Sequence, residues 1–563
     1  MLILTPSLAL ADDPIRDLQR DYVKSKTEKT DRVYHFGSQG KGSVFSNHTS
    51  HTNRLIPFYT FGTAIQPSTV TGKNSLYRDP ARIKALYGFE PVNTVNPSAE
   101  YCDQSDFAKL QRDAVKNGAK HIFIVWFDGL DWNTTQAAAM AKTGQVYTEG
   151  KGAGLIFQDF DAKGTAQYGY YVTSPTHDQN EVDVDTQTVK IPATSLKGGY
   201  DVNLGGPNPW TPGKSRGYLK GQGANKEDGA NVASAGGVLH AYTDSSTSAA
   251  EFVSGVKAYN NGLNVTDNGK FVESILFHEL QRNGWKVGTA TSVPFNHASP
   301  AAMYAHNVFR NDYQDIGRAM LGMVGIVQEA GKFPLMPGLD VVIGTGYGLP
   351  LNEVIAKAAQ GRKKDHGGNF VPGNSYITEN DKAFIDVAKS KTGKYVVVET
   401  KADVNGGAEL KAAAKKAAQG GHRLFGFYGT QRFDHLPYRT VDGKFDPVEG
   451  IGGKVEAYKP SDLTEQPTLA DMTEAALTVM AAETGKPFAL FVEAGDVDFA
   501  LHDNNLDNAI GAVYSGEAAI RVIIDWVEKN SNWDDSVLIV TADHGHYLVI
   551  DDPKKLAEAA KGK

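Results

Sequence analysis

Val537-Leu538-Ile539-Val540-Thr541-Ala542-Asp543-His544 is a short apolar run that ends in a carboxylate beside an imidazole. Two further runs have the same form: His121-Ile122-Phe123-Ile124-Val125-Trp126-Phe127 leads into Asp128-Gly129, and Phe488-Ala489-Leu490-Phe491-Val492 leads into Glu493. Runs this short and this continuously apolar read as strands buried on both faces, as in a parallel sheet. Ligands of open α/β sheets bind at the carboxyl ends of the strands. Parallel alignment would therefore gather Asp128, Glu493 and Asp543-His544 along one edge. Carboxylates brought together in this way repel one another unless a cation neutralises them, which predicts a metal site.

The rest of the chain supports an α/β reading. From Lys116 onward strand-like runs alternate with amphipathic helical stretches such as Thr134 to Lys142 and Glu517 to Lys529. That alternation predicts a three-layer, doubly wound, mostly parallel sheet with helices on both faces. Residues 161–237, rich in Gly, Asn, Asp and Pro, break the rhythm and read as a long insertion into a domain covering 116–563. Residues 12–115 carry turn signals and few periodic elements. Residues 1–11 resemble the end of an export signal, which predicts a periplasmic or secreted protein. With 563 residues, a net charge of −8 and no basic stripe, the chain shows no nucleic-acid footprint, and no stretch reads as transmembrane. The lone Cys102 excludes an intrachain disulfide.

Asp498 and His502 follow directly from the second acid-ended run, and their four-residue step puts both on one helical face, where they can share a metal. His546, two positions beyond His544, is expected to support a ligand through a hydrogen bond. The hydroxyl-rich stretch Thr243-Asp244-Ser245-Ser246-Thr247-Ser248 precedes a helix-compatible run, Glu251 to Ala258. Periodicity leaves two readings open: a helix cap, or a Ser at a helix N-terminus whose amides and dipole favour a phosphate.

Taken together, Asp128-Gly129, Asp244-Ser245, His297-Ala298-Ser299-Pro300, Arg310-Asn311, Glu493 with Asp498 and His502, and Thr541-Ala542-Asp543-His544 resemble the ordered motif set of the alkaline phosphatase family. The resemblance implies phosphomonoester hydrolysis through a phosphoserine at Ser245, with two zinc ions and one magnesium. It implies that Asp128, Asp543 and His544 hold one zinc beside Ser245, that Asp498 and His502 hold the other, and that Asp128, Ser299 and Glu493 hold magnesium. Arg310 would clamp two phosphoryl oxygens. His297, beside the magnesium ligands, would tune that site, and a homodimer is the family expectation.

One ligand is displaced from the family order. The second zinc needs a further histidine downstream of Asp543-His544, and nothing suitable follows there. Ser50-His51-Thr52-Asn53-Arg54-Leu55-Ile56-Pro57-Phe58-Tyr59 resembles that missing segment, which implies a circular permutation with His51 as ligand and the strand after it joining the sheet. Two other functions compete: a phosphodiesterase or other hydrolase of the same superfamily, and an exported metal-binding protein without catalysis.

Overall fold

The structure, a computed structural model, describes residues 13–25, 33–36, 38–39, 43–44, 55–89, 94–178, 180–199, 231–233, 239–241, 243–349, 374–451, 453–546 and 548–561. His51 and residues 1–11 lie outside the described residues. The main sheet has ten strands: β1 (Ile56–Phe61), β2 (Cys102–Asp103), β3 (His121–Phe127), β4 (Gln167–Val172), β5 (Lys286–Pro294), β6 (Val341–Thr345), β7 (Tyr395–Glu399), β8 (Arg423–Phe427), β9 (Phe488–Ala494) and β10 (Ser536–Thr541). Their spatial order is β7-β8-β6-β5-β9-β3-β10-β1-β4-β2. Every pairing from β7 to β10 is parallel.

The three acid-ended runs are the centre of this sheet. Trp126 of β3 pairs in register with Glu493 of β9 on one side and Thr541 of β10 on the other. The carboxyl ends of these strands are therefore level, and Asp128 and Asp543 each follow two residues beyond. Alternate side chains of a strand point to opposite faces. Trp126 packs edge-to-face on Phe252 of one helix, at 4.8 Å between ring centroids. Phe127 points the other way into space left by Gly516 of another helix, where a Cβ would stand 2.1 Å from its ring. Helices thus cover both faces, and only apolar side chains suit both sides of β3.

Five helices matter to the site: α1 (Trp132–Thr143), α2 (Ser245–Ser254), α3 (Ala298–Ala302), α4 (Asp496–His502) and α5 (Leu506–Asn530). The stretch within α1 is not amphipathic, contrary to the sequence expectation: Thr134 through Ala141 are all buried. Helix α5 and the C-terminal helix Pro553–Lys561 both pack against it, and Ala137, Ala138 and Ala139 present little bulk to them. Helix α2 also starts and ends earlier than the run Glu251 to Ala258 suggested, because Gly255 at φ +79° closes it after Ser254.

The N-terminal segment belongs to the same body. Strand β1, all of it buried, pairs antiparallel with β10, with Thr60 opposite Ile539. Strand β4 then pairs antiparallel with β1, so the stretch 161–237 begins with a strand of the main sheet. Tyr34–Phe36 pairs with Leu548–Ile550, and Gln19 binds the start of α5 by accepting from the Leu506 amide at 2.8 Å and donating to Asn505 at 3.0 Å. Residues near both chain ends are therefore packed together.

Candidate active site

Ser245 is the first residue of α2. Asp244 caps that helix, its carboxylate accepting the amides of Thr247 at 3.1 Å and Ser246 at 3.4 Å. The two readings of the hydroxyl cluster are compatible: Asp244 does the capping, which leaves the Ser245 hydroxyl for other contacts. Ser245 Oγ lies 3.1 Å from His544 Nε2 and donates to Asp128 Oδ1 at 3.3 Å. Arg310 Nη1 binds Asp244 Oδ2 at 2.9 Å, so a guanidinium is bonded to the residue that directly precedes this serine. The Arg310 amide donates to Asn261 O at 2.8 Å, and Asn261 in turn donates to Asp244 Oδ1 at 3.1 Å. Burial opposes the charge on Arg310, but Asp244, with Tyr313 and Asp128, outweighs it and holds the guanidinium above its ordinary range.

Two groups of ligand atoms form beside Ser245. Asp128, Asp543 and His544 make one, and Asp498, His544 and His546 the other; in each, one atom per residue lies within 4.8 Å of the rest. Asp543 Oδ1 accepts the Gly129 and His544 amides, each at 2.9 Å. Asp543 Oδ2 is buried and makes no hydrogen bond among the described residues. Gly129 has to be glycine, because at φ +77° a Cβ would meet the His546 ring at 2.8 Å.

His546 Nε2 lies 2.6 Å from Asp498 Oδ1, the contact of a supporting residue, although its ring is also placed to act as a ligand. His502 Nε2 lies 3.4 Å from Asp498 Oδ2, and its side chain is 31% exposed. The expected Asp498–His502 pair is thus together, at the solvent edge of the group. Glu493 accepts a hydrogen bond from Thr291. Ser299 on α3 is buried, with no hydrogen bond to its Oγ among the described residues, yet it lies near enough to Glu493 to favour the charged carboxylate.

The electrostatics are those of a cation site. Burial, then Asp543, Asp498 and Glu493, push the Asp128 carboxyl well above the usual range. Glu493 is pushed up to about 8 by burial, against the Thr291 hydrogen bond, and by Asp543. Asp498 is held low: burial opposes its charge, but His502, His546 and His544 outweigh that. Orphaned oxygens on Asp543 and Ser299, and carboxyls that hold protons for want of positive charge, fit metal ions of oxygen and nitrogen preference.

A family model for alkaline phosphatase matches residues 237–559, more than half of the chain. The chain belongs to the alkaline phosphatase family. It is 26% identical over 302 residues to alkaline phosphatase 4 of Bacillus subtilis (strain 168), covering 54% of this chain and 49% of that protein. It is 25% identical over 311 residues to the alkaline phosphatase of Escherichia coli (strain K12), covering 54% of this chain and 58% of that protein. The chain thus spans about half the length of these curated relatives. Among solved structures it is similar to the cold-active alkaline phosphatase of the psychrophile Shewanella sp., at 17% identity and a TM-score of 0.41 over 76% of this chain and 68% of that one.

Asp128 and His51 both precede the family match, and the fold alone brings Asp128 to the site. The serine motif by itself assigns Asp244 no role. Its short carboxylate directly before a helical run is an ordinary cap signal, but its bond to Arg310 joins positions 66 residues apart and has no local signature.

Proposed function

We propose that the chain is a metal-dependent phosphomonoester hydrolase, an alkaline phosphatase, acting through a phosphoserine on Ser245. The observation that carries this reading is Ser245 at a helix N-terminus, between His544 Nε2 and Asp128 Oδ1, with Arg310 bonded to the adjacent Asp244. Asp128, Asp543 and His544 would hold one zinc, Asp498, His502 and His51 the other, and Asp128, Ser299 and Glu493 a magnesium. Bound there, such ions stabilise the entering and leaving oxygens of an in-line displacement and supply hydroxide for the second step.

The chain's own residues set up the rest. Ser245 Oγ attacks phosphorus, the ester oxygen departs with its alcohol, and a water-derived oxygen later displaces Oγ and releases inorganic phosphate. The hydrogen bond from Ser245 to Asp128 Oδ1 sets the direction in which the hydroxyl gives up its proton. The α2 N-terminus and Arg310 face the negative charge of the phosphoryl group.

Arg310 favours monoesters, because its planar fork addresses non-bridging oxygens that a second ester group would partly cover. With zinc and magnesium supplied, an aryl monoester is expected to exceed the matching diester in kcat/KM by a factor on the order of 10⁴. The reverse order would make the chain a diesterase. No turnover of either would leave a metal-binding protein.

The permuted ligand has structural support. Thr541 donates to Pro57 O at 3.0 Å and Trp132 N to Leu55 O at 3.4 Å, so the start of β1 lies at the site end of β10. His51 precedes Leu55 by four residues, a reach of up to about 13 Å. His51→Ala is expected to lower bound zinc by about one equivalent per chain and to reduce turnover. Full zinc content in that variant would remove His51 from the site. The substrates are small phosphate esters, and export and a homodimer complete the proposal. No described helix is long and apolar enough to cross a membrane.

A further inference from the structure

Between Arg310 and Asp498 the site is bordered by rings. His297, the residue before α3, stacks on Tyr313 with centroids 5.3 Å apart and planes 13° from parallel. Phe499, the next residue after Asp498 in α4, meets the His297 ring at 5.7 Å and 64°. Behind them, Tyr376 packs on Tyr313 at 4.9 Å, and His435 meets Phe499 edge-on at 5.8 Å. Tyr376 and His435 are buried, whereas His297, Tyr313, Phe499 and Arg310 are all half-buried. The front of the cluster is therefore partly open while its back is fixed by packing.

The position of this wall matters more than its composition. Phe499 lies between Asp498 and His502 on α4, and His502 is likewise half-buried at the opening. At the other end, Arg310 is within electrostatic reach of both His297 and Tyr313. A phosphoryl group held by Ser245 and Arg310 would direct its departing oxygen toward Asp498 and His502, and so would lay whatever that oxygen carries along these rings. A planar group there would cover half-exposed aromatic surface at little cost in conformational entropy, since the rings are already held by their neighbours.

We infer that this wall receives the flat aromatic part of the leaving group, so that nucleoside monophosphates and similar ring-bearing phosphomonoesters are the preferred substrates. The inference rests on the phosphatase reading and names the substrate class of that same site.

A nucleoside 5′-monophosphate and ribose 5-phosphate are both esters of the primary 5-hydroxyl of a ribose and differ in whether C1 carries a base, so the ratio of their kcat/KM values reads what the base adds. The expected ratio is at least about tenfold in the unaltered protein, falling to within about twofold in Phe499→Ala and recovering in Phe499→Trp. A ratio near one in the unaltered protein, or a preference that survives Phe499→Ala, overturns the inference. Should Phe499→Ala lose metal, Tyr313→Leu gives the same reading from the other end of the wall. If neither ester is turned over, the phosphatase reading fails. The wall is then judged by calorimetric affinity for the same two compounds: equal affinities overturn it, and tighter binding of the nucleotide sustains it.

Discussion

Ser245→Ala is expected to lower kcat for a phosphomonoester by at least about 10⁴-fold, because it removes the atom that forms the covalent intermediate. The fold should be unaffected. Asp244, not Ser245, caps α2, and among the described residues the Ser245 hydroxyl bonds into the site, to Asp128 and His544. Alanine suits a first helical position, so thermal unfolding should match the unaltered protein. Ser246→Ala makes a useful contrast: its hydroxyl donates to Asp244 Oδ2 at 2.7 Å, and its loss should slow turnover modestly by loosening the partner of Arg310. Acid quenching of the unaltered protein with phosphorus-labelled substrate should place the label on the peptide that contains Ser245. Label on another residue, or substantial turnover by Ser245→Ala, would rule out the phosphoserine route.

Removal of bound metal should cost at least about 10³-fold in turnover, the scale of losing one strong electrostatic stabiliser, and it should also leave a mark on stability. Without cations, Glu493 holds its proton up to about pH 8, against an ordinary value of 4.5. Between those values the folded protein binds a proton that the unfolded chain does not, so stability falls as pH rises through the window. His297 and His546, both lowered to about 3, act in the opposite sense, but only below their ordinary value of 6.5. From pH 6.5 to 8 those two histidines no longer oppose the carboxyl effect. The gap in unfolding free energy between metal-loaded and metal-free protein should widen there, by about 1.4 kcal/mol per pH unit for each such carboxyl still protonated. Buried groups elsewhere, such as Glu251, contribute equally to both forms and cancel. A gap that stays constant across that range would show that the carboxylates do not meet around a cation.

How much of this was legible in advance follows from the range of each interaction. The apolar runs of β3, β9 and β10 could be read because a strand buried on both faces has almost no freedom to carry polar residues until it ends. The Asp498–His502 step could be read because one helical turn separates the two. The amphipathic reading of Thr134 to Lys142 failed for the converse reason: its Ala and Thr residues are equally suited to a solvent face and to close packing, and only the helices laid over α1 decide. The bond from Asp244 to Arg310 and the approach of His546 to Asp498 likewise leave no periodic trace.

Three things can be read from the residues alone: an α/β protein whose parallel strands end in carboxylates, a serine at a helix start, and a motif order that belongs to one family. Those features are local, set by strand burial, helical spacing and capping. Long-range packing lays β1, from the far end of the chain, antiparallel beside β10, sets Ser245 against His544 across 299 positions, and gathers rings from separate segments into one cluster. Each depends on how helices and strands distant in sequence pack, which no short stretch of residues can encode.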